Sequence, residues 1–297
     1  MFDSVPIKNS LGATVQLPAI LNSDGQTYIM NTTMPWNDLI AMRLVPGVSS
    51  LDKWGVTLTT SVSAPVDIWE GVGEYEFETT NSITHIRAVN IGGAEDADNG
   101  KTIELLCQLA DGTEFEQSKA VGDDDVFIAL DTPCSFVARM TNLASAKIEG
   151  SVQASVGTSA ANSNQKAYII DGNNQTQMAI YRVPKEKVIF LKRGEVGLNF
   201  SGNPSAGTQY LIEAYRSKRP GEDWTIKKSI SGVTSATSNY EDRRIFKDII
   251  PSLTEFKLSV MESSDATIGA NGAFDLEIWD ESLFSDEWLA AIGQPGY

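Results

Sequence analysis

The chain has 297 residues, 41% of them hydrophobic and 21% charged, with a formal net charge of −16. That apolar share can build cores, so disorder is not the default, and the length exceeds one typical domain, which points to two. The acidity argues against nucleic-acid binding by the chain as a whole, no apolar run approaches the ~20 residues that span a bilayer, and the Met1–Pro6 start lacks a secretory pattern, so the expected setting in a cell is the cytosol.

Taken in chain order, residues 1–50 are poorly periodic, with short apolar pieces among Asn, Ser, Gly and Pro and one candidate helical turn from Trp36 to Arg43. They read as an extended N-terminal arm that wraps its own domain or reaches a neighbour. Residues 51–157 read as a β-sandwich of short strands at Ile83–Val89, Thr102–Leu109, Val126–Leu130, Phe136–Met140 and Lys147–Ala154, divided by Gly and Asp clusters and an Asp111-Gly112 turn. A small polar linker, 158–164, precedes a second β-sandwich over 165–282. Its expected strands are Ala167–Ile170, Gln177–Val183, Val188–Lys192, Val196–Phe200, Tyr210–Arg216, Thr225–Ile230, Phe256–Met261 and Phe274–Trp279. Gln177–Val183 and Val188–Leu191 look like the two arms of a hairpin, with Pro184 ending the first because it has no N–H to donate. In Phe274–Trp279 the alternation is clean: Phe274, Leu276 and Ile278 on one face, Asp275, Glu277 and Trp279 on the other. The tail 283–297 reads as a short helix, capped near Ser285 and closed by Gly293, carrying Trp288, Leu289 and Ile292 on one side. That side either docks a partner or packs back on its own domain. The fold class expected is therefore all-β: two antiparallel sandwiches, jelly-roll-like or Ig-like, with an arm and a short helical tail.

Charge is uneven: 1–150 holds 8 basic and 21 acidic residues (−13), 151–297 holds 15 and 18 (−3), and 258–297 alone holds none and 8 (−8). Such asymmetry serves solubility or charge-complementary contacts. His85 is the single histidine, so a histidine triad or multi-histidine metal site within one chain is excluded; nucleophile-elbow, P-loop and dinucleotide fingerprints are missing too. The acidic runs Glu95–Asp98 and Asp123–Asp125 lack the spacing of an EF-hand and read as solvated turns, with weak calcium binding left open. Trp54, Trp69, Tyr75, Trp224 and Trp279 either fill cores or stack on sugars. Cys107 and Cys134 read as buried thiols; their spacing does not say whether they pair.

Two segments carry a resemblance. "QTQMAIYRVP" (Gln175 to Pro184) followed by "FLKR", and upstream "LDKWGVTLTTSVSAPVDIWEGVGEYEF" (Leu51 to Phe77), are similar to stretches of a virion structural protein family of marine and other aquatic tailed bacteriophages, in the family's order and at about its spacing. The resemblance implies a virion component with two β-domains and no catalytic residues to carry over. The chain departs from the pattern in its acidic first domain and in a tail that extends past the usual end. The expectation is a non-enzymatic phage virion protein, first as a capsid decoration or cement protein on the major capsid protein, with arm and sandwich faces as contacts and Trp36, Trp288, Leu289 and Ile292 as anchors. The alternative is a tail or host-recognition component, a trimer with glycan contacts. A glycan-active enzyme, which would need a carboxylate pair roughly 5–10 Å apart in an aromatic cleft, is a third reading. No cofactor, metal, nucleic acid or membrane is expected; the implied partners are other virion proteins and further copies of the chain, and the implied location is the virion, after assembly in the host cytoplasm.

Overall fold

The structure is a computed structural model that describes residues 4–8, 14–21, 27–29, 40, 45–58, 61, 64–71, 73–89, 97–200, 209–219, 222–233, 240–264 and 268–292. Strands β1 (Ser4–Lys8), β2 (Thr14–Leu21) and β3 (Thr27–Ile29) form an antiparallel meander that pairs with none of the other described strands. Then come β4 (Val48–Thr57), β5 (Val66–Asp67), β6 (Ile83–Val89), β7 (Thr102–Gln108), β8 (Glu114–Ala120), β9 (Ile128–Cys134), β10 (Phe136–Asn142), β11 (Ser151–Val156) and β12 (Gln165–Ile169). The rest are β13 (Ile180–Arg182), β14 (Lys187–Phe200), β15 (Gln209–Lys218), β16 (Thr225–Val233), β17 (Tyr240–Ile250), β18 (Glu255–Ser263) and β19 (Ile268–Asp280), followed by a short helix α1 (Asp286–Ile292). The architecture is all-β and antiparallel, a sandwich-like arrangement closed by one short C-terminal helix.

Two pairs of sheets build it. The first pair, from residues 83–169, is β10-β7-β8 against β12-β11-β6-β9. The second is β13-β18-β15-β16, with β5 on β18, against β17-β14-β19-β4. Alternation explains most of these strands: in β7, Ile103, Leu105 and Cys107 are buried while the residues between them are half-exposed, so one face meets the core. In β19, Phe274 and Leu276 are buried beside a half-exposed Asp275.

Pairing crosses the boundaries that composition suggests. β4 runs antiparallel to β19 from Val48↔Trp279 to Ala270↔Thr57, so residues 48–57 belong to the sheet built by the end of the chain, and 48–50 are strand and not arm. The expected linker 158–164 is the loop of the β11–β12 hairpin, tightened by a 3₁₀ turn at Asn162–Asn164. The expected hairpin after residue 177 is corrected as well. β13 pairs with β18 through Ile180↔Lys257, whereas β14 pairs with β17 and β19 in the opposite sheet. The turn between them takes Glu186 into the left-handed region (φ 61°), and Lys187 N donates to Pro184 O. Pro184 lacks the donor a hairpin ladder would use, and the chain crosses from one sheet to the other. Because Ile180, Tyr181 and Arg182 are all buried, β13 has no solvent face and its apparent alternation carries no meaning. Val188–Lys192 and Val196–Phe200 are one long strand with a bulge between Leu191 and Arg193.

One hydrophobic core runs through both sheet pairs, joining Ile83, Leu105 and Phe136 of the first to Tyr181, Phe256 and Phe274 of the second. Close approach of backbones sets its thinnest point. Gly55 on β4 faces Gly272 on β19, and a Cβ on Gly55 would lie 2.3 Å from Ala179 N and 2.4 Å from Ile68 O. Neither backbone atom can move aside. Gly55→Ala is therefore expected to cost about 3 kcal/mol or to prevent folding, as overpacking against fixed atoms does. Gly73 (φ 76°) would have open space around a Cβ, and Gly73→Ala is expected to cost only about 1 kcal/mol of left-handed strain. Urea titration of both variants checks the contrast; equal losses would contradict it.

Candidate functional site

The two segments that carry the family resemblance meet in space. Trp69 and Met178 form an isolated antiparallel bridge, Ala179 N donates to Ile68 O at 2.9 Å, Leu258 N to Ala179 O at 3.0 Å, and Ile68 N to Leu258 O at 2.9 Å. Beside this junction Lys257 is fully buried and donates to Asp67 Oδ2 (2.7 Å), Glu74 Oε1 (3.1 Å) and Tyr75 O (3.1 Å), with its ammonium 4.4 Å from the Trp224 ring centre. Asp67 also accepts from Ser259 Oγ and Tyr75 N, both at 2.5 Å. A buried charge held by this many partners is a structural lock, since removing one partner would strand the other without water.

A cleft of about 500 Å³ opens next to the junction, within the usual size of small-ligand sites. Val56, Leu58, Pro65, Val66 and Ile170 form its apolar walls, and Glu70 is the one carboxylate among its described lining residues, none of which is aromatic. Glu70 accepts from Gln177 N and Asn173 Nδ2, each at 3.3 Å. Burial outweighs those bonds and pushes its carboxyl up to about 8. The paired carboxylates in an aromatic cleft that glycoside hydrolysis requires are not the arrangement here.

Aromatic side chains divide cleanly. Trp69 and Tyr75 are core, edge-to-face at 5.1 Å, and Trp224 leans on Phe77. Trp54 is 40% exposed on β4, and Leu58 at the cleft mouth is 71% exposed. Of the expected anchors, Trp36 lies outside the described residues. Trp288 and Leu289 are half-buried on α1, and Ile292 is its last residue. Ser285 caps the helix, its Oγ accepting from Trp288 N at 3.3 Å. Trp288 stacks on Phe284 at 4.3 Å and on Phe190 at 6.2 Å, and Trp279 lies against both phenylalanines. The tail helix thus packs back on the β14–β19 surface.

Of the acidic runs, Glu95 and Asp96 lie outside the described residues, whereas Asp98 and Asp125 have specific work. Asp98 is buried, accepting from Lys101 Nζ and from Glu149 N and Gly150 N, so its oxygens hold a turn; Asp125 adopts φ 64° and pairs with Arg87. Among the described residues no group of three or more His, Cys, Asp or Glu is arranged to hold a metal ion. Among the buried cations that sequence reading missed are Lys257, Arg182 and Lys53. Arg182, inside the QTQMAIYRVP motif, donates to Glu255 Oε1, Ser135 Oγ and Glu78 O and lies over Phe77 and Phe136. Lys53 donates to Ala138 O, and burial, aided by Arg139, brings its ammonium down to about 7. Position gave a signal for Arg182 alone, the charged end of the otherwise apolar strand Ile180–Arg182; Lys53 and Lys257 sit in strands with other charged and polar residues.

No family model and no curated protein matches the sequence. Among solved structures, a chain in the structure of infectious bursal disease virus, Gx strain, is similar at 10% identity over 77% of this chain and 71% of that chain, with a TM-score of 0.24. The Gt strain of the same virus gives 12%, 82%, 78% and 0.21. The tandem CBM22 domains of Paenibacillus barcinonensis Xyn10C give 10%, 79%, 93% and 0.22. TM-scores of this size establish no shared topology.

Glu70 has a thermodynamic signature. Its folded carboxyl holds a proton up to about 8, against 4.5 as the ordinary value, so between those pH values the folded state binds more protons than the unfolded one. The stability this confers is full below about pH 4.5 and is lost as pH rises through about 8. Urea midpoints are expected to fall for the wild type relative to Glu70→Gln from pH 5 to pH 8; parallel curves would show that Glu70 ionises normally.

Proposed function

We propose that this chain is a tailed-bacteriophage virion protein that works by binding, as a decoration or cement protein on the capsid surface. The observation that carries the reading is the separate N-terminal sheet. β1–β3 pair with none of the other described strands, while both sheet pairs are completed by strands from Val48 onward. On this reading the sheet engages a neighbour, and many copies on a lattice convert weak contacts into stable attachment. The resemblance of Leu51–Phe77 and Gln175–Pro184 to phage virion proteins supports the setting. Two apolar features at opposite ends of the β4–β19 pair offer further contact surface. Leu58 and the cleft lie beyond the Thr57↔Ala270 end, and the half-buried Trp288 and Leu289 follow the Val48↔Trp279 end.

The arm test must spare the sheets. Ile40 is 1% exposed and Gly47 O accepts from Asp280 N, so the truncation stops before Trp36. Deleting residues 1–33 is expected to leave the unfolding midpoint within error of the full chain and to reduce incorporation into particles by at least ~100-fold, the scale of lost avidity. In the full chain, Trp36→Ala is expected to act in the same direction. Normal incorporation of the truncated chain would overturn the cement reading; attachment confined to tails would favour the host-recognition alternative.

A further inference from the structure

The Cys107 and Cys134 thiols contact each other across the first pair of sheets. Cys107 lies on β7 in the β10-β7-β8 sheet, and Cys134 ends β9 in the β12-β11-β6-β9 sheet. Their backbones are tied one residue further on: Ser135 N and Ser135 Oγ both donate to Gln108 O, at 2.9 and 3.1 Å, and Val137 pairs with Cys107 in the ladder. The side chains hydrogen-bond to one another, and neither cysteine has any exposed surface. Gln117 of β8 covers the pair. Its Nε2 donates to Cys107 Sγ at 3.4 Å and to Thr132 O at 2.9 Å, and its Oε1 accepts from Thr132 N at 3.2 Å. β8 is an edge strand whose side chains are all exposed or half-exposed, so it is the element of this sheet least anchored by burial.

We propose that Cys107 and Cys134 are a built redox site, oxidised by peroxide to a disulfide that staples the two sheets of the first sandwich together. The site does not depend on where the protein resides. Opening of the Gln117 clamp admits hydrogen peroxide, a small oxidant. The Cys107 thiol loses its proton, and the thiolate attacks one peroxide oxygen; the O–O bond breaks, the other oxygen leaves as water, and Cys107 becomes a sulfenic acid. Cys134 sulfur then attacks the Cys107 sulfur, the S–O bond breaks, and the hydroxyl leaves with the Cys134 proton as a second water. Two thiols and one peroxide give one disulfide and two waters.

The roles are unequal for a physical reason. Hydrogen bonds from Cys134 and Gln117 hold the Cys107 thiol below its ordinary range, whereas the bond to Cys107 and burial hold Cys134 well above it. Gln117 Nε2, 3.4 Å from Cys107 Sγ, is placed to stabilise a thiolate there, so Cys107 is the attacking thiol and Cys134 the resolving one.

The test uses the full-length protein, exposed to a small excess of hydrogen peroxide, quenched, unfolded and alkylated with N-ethylmaleimide. The reduced chain has two alkylatable cysteines. After peroxide, the expected intact mass is that of a monomer with no maleimide, lighter than the reduced chain by two hydrogens, with a raised thermal midpoint that a phosphine reductant reverses. Cys134→Ser is expected to stop at the sulfenic acid and to be trapped by dimedone at least ~10-fold faster than Cys107→Ser, following the difference in thiolate character. The wild-type mass measurement stands even if either serine variant fails to fold. Retention of two maleimides, conversion to sulfinic or sulfonic acid, or a disulfide only between chains would each overturn the proposal. Equal dimedone rates would overturn the assignment of roles.

Discussion

The fold depends on one three-way junction, where Ile68, Leu258 and Ala179 bond to each other through their backbones. These residues come from three distant parts of the chain, so closing the junction costs the entropy of two long loops before any contact repays it. The buried ion pair of Lys257 and Asp67 fixes the register at the same place, because a one-residue slip of β18 would carry an ammonium away from its carboxylate and into apolar surroundings. Gly55 is the steric counterpart: only glycine there leaves room for the junction's backbone to lie against β4, while Gly272 beside it makes room for the Leu258 and Ile68 side chains. Leu51–Phe77 and Gln175–Pro184 are the two halves of one folding constraint, since both converge on this point.

The seam between the two sheet pairs carries polar bonds beside the continuous apolar core. Arg182 reaches Ser135 and Glu78 of the first sheet pair and its approach, Gln108 Nε2 donates to Arg182 O, Lys53 donates to Ala138 O, and Lys185 N donates to Gly112 O. Each bond has a single geometry that satisfies it, so the seam fixes how one sheet pair sits on the other, where apolar surfaces alone would tolerate sliding. Arg182 illustrates the balance, with its guanidinium flanked by Phe77 and Phe136 and its charge met by Glu255, which also pairs with Lys218.

Alternation in the sequence exposed the fold class and most strands. Ile83–Val89 is a strand with the expected limits, and Phe274–Trp279 presents the expected faces within a longer strand. What stayed hidden had physical causes. β8 (EFEQSKA) has Phe115 as its one large apolar residue and no buried face, and β17 (YEDRRIFKDII) is dense in charge, so neither carries a core pattern. The union of β4 with β19 is invisible because sequence spacing carries no information about a partner some 220 residues away. Glu70 was equally hidden: a glutamate after Trp69 looks like a solvated turn residue until Ile170 and Pro65 are seen to wall it in. The tail was legible as a capped helix bearing Trp288, but the sequence left its direction open; Phe284 and Phe190 take the ring.

The proposed function rests on how the pieces divide. A locked double sandwich, an N-terminal sheet of its own and apolar features at both ends of one strand pair suit a protein that is placed on a surface many times over and does its work by staying there. The most direct measurement is cryo-electron microscopy of intact particles with this chain located in the density. The account predicts density repeated over the capsid lattice, with the first thirty or so residues ordered against neighbouring subunits. Density confined to the neck or tail, or particles without the chain, would contradict it.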